Sequence, residues 1–202
     1  MGKTTIITRY IKGKFIQTNE RTINTNSIEK KVIVNGSPIA LVLWDTAGEE
    51  KYHALTPIFF HGADGAIIVY DCTKRESFER AEKWFNELSE FSESNPKIIL
   101  VGNKIDLPNK VINSDEGQQL AQKYNANFFE ISALTGMGIS NIFENIASEI
   151  YNYKSKVKKE QFEIDSTASS NIKPSKSKKK LVIATGSDRY EKRLNESGSC
   201  IC

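Results

Sequence analysis

Three short polar segments hold residues whose types and spacing could do chemistry: Gly2-Lys3-Thr4, Asp45-Thr46-Ala47-Gly48 and Asn103-Lys104-Ile105-Asp106. Gly2-Lys3-Thr4, running through Thr5 into a helix, matches the end of a phosphate-binding loop. There the Lys reaches the β- and γ-phosphates, the Thr hydroxyl binds Mg2+, and the helix amino terminus adds N–H donors. A bare Gly-Lys-Thr also arises often by chance. Asp45 follows an apolar run, where a carboxylate can hold a hydrated Mg2+. Gly48 lets a backbone N–H approach a terminal phosphate. A plain turn after a strand favours the same residues. In the third segment the Asp106 carboxylate suits the paired N–H donors of guanine, which adenine lacks, and such a site can discriminate by up to ~10^4–10^5. Asn103 can bridge base and phosphate loop, and the stem of Lys104 can lie across the base plane. Ser132-Ala133, with Leu134 next, would close the pocket with backbone donors. A helix cap after a strand accounts for any one of these segments but poorly for all of them in order.

The elements that must position these residues read as alternating strands and helices. Ile6, Ile7, Tyr10 and Ile11 repeat at helical spacing over 3–15. Strands follow at 28–34 and 39–44, joined through Asn35-Gly36-Ser37-Pro38, a hairpin turn. Apolar runs at 66–70, 98–101 and 128–131 each end in polar residues, with helical patterns at about 76–92, 115–124 and 139–154 between and after them. Such alternation predicts an α/β fold with a mainly parallel sheet, in which ligands lie beyond the carboxyl ends of the strands.

Composition narrows the function. With 39% hydrophobic residues in 202, the chain can build one core plus a tail. No apolar run approaches the ~18 residues of a membrane span. The amino terminus has no secretory signal pattern, and Ile6 stands where myristoylation needs Ser or Thr. A cytosolic start is expected. The formal charge of +3 is too small to argue for nucleic acid. Lys154, Lys156, Lys158, Lys159 and Lys173 to Lys180 concentrate the basic excess beyond residue 154. That excess suits an anionic membrane surface or serves only for solvation. The region beyond 155 reads as a disordered tail containing one apolar island, Leu181-Val182-Ile183. Cys72 reads as a small core residue, whereas Cys200 and Cys202 have nothing to pack against.

The order Gly2-Lys3-Thr4, Thr22, Asp45-Thr46-Ala47-Gly48, Asn103-Lys104-Ile105-Asp106, Ser132-Ala133 resembles the Ras superfamily. Trp44, Tyr52-His53-Ala54-Leu55, Phe59-Phe60-His61-Gly62-Ala63 and the Cys-x-Cys ending resemble its Rab family, especially the early-endosomal members. The resemblance implies a P-loop small GTPase fold, a six-stranded, mainly parallel sheet flanked by helices, with a G domain over 1–154 and a flexible basic tail over 155–202. It implies a monomeric GTP/GDP switch with Mg2+ in vesicle traffic, cytosolic and peripherally membrane-bound. Lys3, with Gly2, Thr5 and Gly48, would hold phosphate. Thr4, Thr22 and Asp45 would serve Mg2+. Asn103, Lys104 and Asp106 would read guanine beside Ser132, Ala133 and Leu134. The loops 18–28 and 48–62 would be the two switches. Partners would be an exchange factor, a GAP, a GDP-dissociation inhibitor, an escort protein and effectors. Cys200 and Cys202 would both carry geranylgeranyl groups, because one short chain anchors only marginally. Leu181-Val182-Ile183 would engage the escort protein or remain a sticky island in the tail, with neither favoured.

The chain departs from the family pattern at several points. Glu49 stands where the family places a Gln that orients water, and its carboxylate ~4 Å from phosphate would meet roughly 4 kcal/mol of repulsion per unit charge at a dielectric of 20. Slow intrinsic hydrolysis is expected, although GAP-stimulated turnover could survive; the alternative to a working switch is a Rab-like binding adaptor that holds nucleotide poorly or stays GTP-bound. Thr22-Ile23-Asn24-Thr25-Asn26-Ser27 lacks the family's Gly and aromatic, and Leu134 replaces a frequent Lys. The strand that precedes the phosphate loop in this fold, central between those ending at Asp45 and Asp71, is expected to be missing, as in a truncated and inactive fragment.

Overall fold

A computed structural model describes residues 2–16, 26–46, 60–92, 95–165 and 179–184. Helix α1 (Lys3–Lys12) is followed by strands β1 (Asn26–Val34), β2 (Ser37–Asp45) and β3 (Gly65–Asp71). Then come α2 (Arg75–Phe91), β4 (Lys97–Asn103), α3 (Ser114–Lys123), β5 (Asn127–Ile131), α4 (Ile139–Asp165) and β6 (Lys179–Ala184). The six strands form one sheet in the order β1-β2-β6-β3-β4-β5. Only the β1–β2 pair is antiparallel. Its two-residue turn places Asn35 at φ 50° and Gly36 at φ 75°, the left-handed pair that matches strand twist.

Strand alternation sends side chains to two faces. Ile67, Val69, Ile99 and Val101 meet Ile6 and Ile7 of α1 and Ile142, Phe143 and Ile146 of α4 on one face. Ile68, Tyr70 and Leu100 meet Ala81 and Phe85 of α2 and Ala121 of α3 on the other. Fully burying one such aliphatic or aromatic side chain contributes roughly 1.5–3 kcal/mol. Helix α1 is fixed in place by Tyr10 stacked on Phe143, with centroids 3.9 Å apart, and by Lys30 Nζ donating to the Tyr10 carbonyl at 2.7 Å. It stops at Lys12 because Gly13 takes a left-handed cap, φ 69°, whose N–H reaches the Arg9 carbonyl.

The carboxyl-terminal region departs from the sequence reading. Helix α4 does not end near 154 but continues to Asp165. Residues 155–165, Ser-Lys-Val-Lys-Lys-Glu-Gln-Phe-Glu-Ile-Asp, contain no Pro or Gly and consist largely of good helix formers. The apolar island Leu181-Val182-Ile183 is not in a free tail. It forms β6, parallel to both β2 and β3 and registered with Leu43-Trp44-Asp45 on one side and Gly65-Ala66-Ile67 on the other. The central position expected to be empty is thus filled by residues from the far end of the chain. Leu181 and Ile183 are fully buried in the core shared with α1 and α4. Two flanking strand edges and apolar faces above and below outweigh the polarity of the surrounding sequence. The connection is geometrically open. The 27-residue α4 is about 40 Å long, about 17 Å more than a 7-residue strand. Residues 166–178 can reach ~43 Å when extended.

Candidate nucleotide site

The polar residues singled out in the sequence meet where β2, β3, β4 and β5 end and α1 begins. Gly2 caps α1 with φ 94°, and its carbonyl accepts the N–H of Ile6 at 2.9 Å. That left-handed conformation favours glycine. A Cβ here would lie 3.0 Å from the Asn103 amide nitrogen, so the chain passes directly over Asn103.

One residue on, Lys3 is almost fully buried. Burial lowers its pKa to about 8, partly opposed by the nearby Asp45 carboxylate. A desolvated ammonium at a helix amino terminus is a concentrated positive site. Thr4 Oγ1 donates to Asp45 Oδ2 at 2.7 Å. The other carboxylate oxygen, Asp45 Oδ1, is buried and has no hydrogen-bond partner among the described residues. Burial raises the Asp45 pKa, against the lowering effects of Thr4 and Lys3. A hydroxyl beside a buried carboxylate with a spare oxygen is the hard-oxygen donor set that Mg2+ takes. The residues present therefore fit that ion.

Asn103, 1% exposed, ties the segments together. Its side-chain Oδ1 accepts the Ala133 N–H at 3.0 Å while its amide nitrogen faces Gly2. Ser132 is buried beside it and shapes the following turn, accepting Thr135 N–H on Oγ at 3.0 Å and Gly136 N–H on its carbonyl at 2.8 Å. Lys104 turns to φ 71° and its ammonium pairs with Asp71 Oδ2 at 2.6 Å. Burial alone would raise the Asp71 pKa, but the Lys104 ammonium and the hydroxyl and N–H of Thr73 outweigh it and hold the carboxyl below its usual value. Asp106 is exposed, open to a ligand, and Leu134 is 51% exposed beyond the buried Ala133.

Gly2, Lys3, Thr4, Thr5, Asp45, Asn103, Lys104, Asp106, Ser132, Ala133 and Leu134 thus all lie on this edge of the sheet. Thr22, Gly48, Glu49, Cys200 and Cys202 fall outside the described residues. Two contributors were not assigned from sequence. Asp71 is the partner of Lys104, and the signal for it was its parallel register with Asn103 at the ends of β3 and β4. Thr46 Oγ1 donates to the Ile183 carbonyl at 2.5 Å, a contact with no sequence signal because 137 positions separate the two.

The profile of the Ras family matches residues 1–152. A putative Ras-related Rab-5B of Dictyostelium discoideum is 40% identical over 155 residues, 76% of this chain and 72% of that protein. The Ras-related RABA2b of Arabidopsis thaliana is 38% identical and Rab2BV of Beta vulgaris 37%, each over 77% of this chain and 73% of the relative. The chain belongs to the Rab family of small GTPases. As a Rab-family GTPase it belongs with proteins that bind guanine nucleotide and act in membrane traffic. No helix among the described residues is long and apolar enough to cross a membrane.

Proposed function

We propose that this Rab-family chain is a GTP/GDP switch in endosomal or vesicle traffic, with Lys3 on the β- and γ-phosphates and Thr4 and Asp45 as its Mg2+ residues. The observation that carries this reading is the buried, unpartnered Asp45 Oδ1 beside the Thr4 hydroxyl and the desolvated Lys3. When bound, Mg2+ neutralises charge on the phosphate oxygens. Gly2 and Thr5 belong to the same helix start, whose N–H groups favour an anion. Asp106 pairs the guanine donors, Lys104 is held by Asp71 with its stem along the base, and Asn103 joins phosphate and base ends. Backbone groups of Ser132, Ala133 and Leu134 close the pocket.

Thr22 and Gly48, by family likeness, complete the metal and γ-phosphate contacts. Glu49 at the water-orienting position slows intrinsic hydrolysis and leaves a GAP to supply turnover. Dual geranylgeranylation of Cys200 and Cys202 holds the monomer on cytoplasmic membrane faces. An exchange factor, a GDP-dissociation inhibitor, an escort protein and effectors act on it as on its relatives. The test is fluorescent-GDP binding with Mg2+ or with EDTA, for the parent chain and for Thr4→Ala and Asp45→Ala. The expected result is tight binding that weakens on chelation, with both variants losing that metal dependence. Binding indifferent to Mg2+ in the parent, or no binding at all, overturns the proposal.

A further inference from the structure

Among the described residues, three other than glycine have positive φ: Asn35, Asn125 and Lys104. Asn tolerates the left-handed region because its short polar side chain can bond locally, and lysine has no such help. Lys104, at φ 71°, stands between the buried Asn103 and the exposed Asp106, so its turn decides how the chain runs from one to the other. Asp71 is placed to hold that turn from outside the loop. Its side chain is 1% exposed, and Oδ2 meets the Lys104 ammonium at 2.6 Å. Oδ1 accepts the N–H and the hydroxyl of Thr73 at 3.0 and 2.7 Å, while the Asp71 N–H donates to Ser77 Oγ at 3.0 Å. Contacts outside the loop therefore fix the carboxylate. Cys72, next in the chain, donates both its N–H, at 3.0 Å, and its thiol, at 2.6 Å, to the Asn103 carbonyl. The residue before Lys104 is thus anchored as well.

We propose that Asp71 is a positioning residue for guanine recognition, holding Lys104 in its left-handed turn and so setting the spacing of Asn103 and Asp106 that admits the base. This deepens the nucleotide reading above and rests on it. Asp71 touches no nucleotide atom in this role, and its action passes through Lys104. Without the carboxylate, Lys104 relaxes toward the negative φ that lysine ordinarily adopts. The chain after Asn103 then changes course, and Asp106 moves away from the paired donors of guanine. An ion pair that served folding alone would leave the affinity of the folded protein unchanged. The positioning role has a second signature: it vanishes when residue 104 takes the turn unaided, as glycine does.

A double-mutant cycle on the full chain tests this. Fluorescent GDP is titrated with Mg2+ against the parent, Asp71→Asn, Lys104→Gly and the two together, each first shown to unfold cooperatively in urea. Asp71→Asn should weaken GDP binding roughly tenfold or more in the parent, and less than about twofold further in the Lys104→Gly chain. Equal losses in the two backgrounds, or undiminished affinity in Asp71→Asn, overturn the proposal. Inosine diphosphate, which lacks the exocyclic amine of guanine, competes in the same titrations. The parent's preference for GDP over it should shrink in Asp71→Asn, because a displaced Asp106 reads that amine poorly; an unchanged preference also overturns the proposal. Should Asp71→Asn not fold, Thr73→Val removes one bond to the carboxylate and should weaken GDP about two- to fivefold in the parent but not in Lys104→Gly. Undiminished affinity in Thr73→Val then decides against the role. A parent that binds no GDP ends the nucleotide reading and this proposal together, whereas a parent that binds GDP with an additive cycle ends this proposal alone.

Discussion

Replacing Asn103 by Ala removes a side chain that lies against the Gly2 turn and bonds the Ser132-Ala133 turn. The site is 1% exposed, so water cannot readily take over the Ala133 N–H that Oδ1 now accepts. Leaving one such buried donor unsatisfied costs about 1–3 kcal/mol. With a urea slope of about 2 kcal/mol/M for a domain of this size, the unfolding midpoint should fall by about 0.5–1.5 M. GDP affinity of the still-folded protein should fall a further ten- to hundredfold, about 1.4–2.8 kcal/mol, because the two turns lose their common tie. The control is Asn127→Ala on the surface, whose side chain bonds Asn145 at 2.9 Å and whose loss should stay within ~0.5 kcal/mol. Urea unfolding without nucleotide, then fluorescent-GDP titration well below the midpoint, separates the two effects. An Asn103→Ala midpoint equal to that of Asn127→Ala, or undiminished GDP affinity, refutes the reasoning.

Thr4→Val keeps the side-chain shape but removes the hydroxyl that donates to Asp45. Comparing GDP dissociation with Mg2+ and with EDTA should show the metal-dependent slowing lost by tenfold or more, with little change in the EDTA rate. Asp71 has a depressed carboxyl pKa, so its pairing stabilises the fold above the usual carboxylate value of ~4 and that contribution disappears as pH falls through the lower folded value. Asp71→Asn should therefore be less stable than the parent at pH 7 and converge with it in acid, read from urea midpoints between pH 7 and pH 2; parallel pH curves would argue against the ion pair. Glu49→Gln should speed single-turnover GTP hydrolysis, and equal rates for the two proteins remove the explanation by carboxylate repulsion.

Much of the fold could be read from short-range pattern. Asn35-Gly36 announced the hairpin, and apolar runs ending in Asp or Asn announced β3 and β4, because their side-chain period and turn chemistry are local. The end of α1 was misjudged because apolar spacing continues past Lys12, whereas the left-handed turn at Gly13 decides it. The role of Leu181-Val182-Ile183 was not legible. A three-residue apolar run in a Lys-rich stretch shows its strand character only against the two strands that flank it. That Lys3, Thr4, Asp45 and Asn103 gather at one sheet edge was legible because each belongs to a compact motif. Asp71 was not, since its partner Lys104 lies on another strand's end and only sheet register brings them together.

The loop carrying Asp106 is fastened at both ends. Lys104 is paired to Asp71, and the N–H of Val111 bonds the Cys72 carbonyl at 2.9 Å. Arg75 reaches the Val111 carbonyl at 2.8 Å and also grips Glu116, which closes the capping box of α3 with Asn113. Under the nucleotide reading proposed above, a loop so braced would need little rearrangement to receive a base. On that reading the base end of the site would reorganise little between the empty and the occupied states.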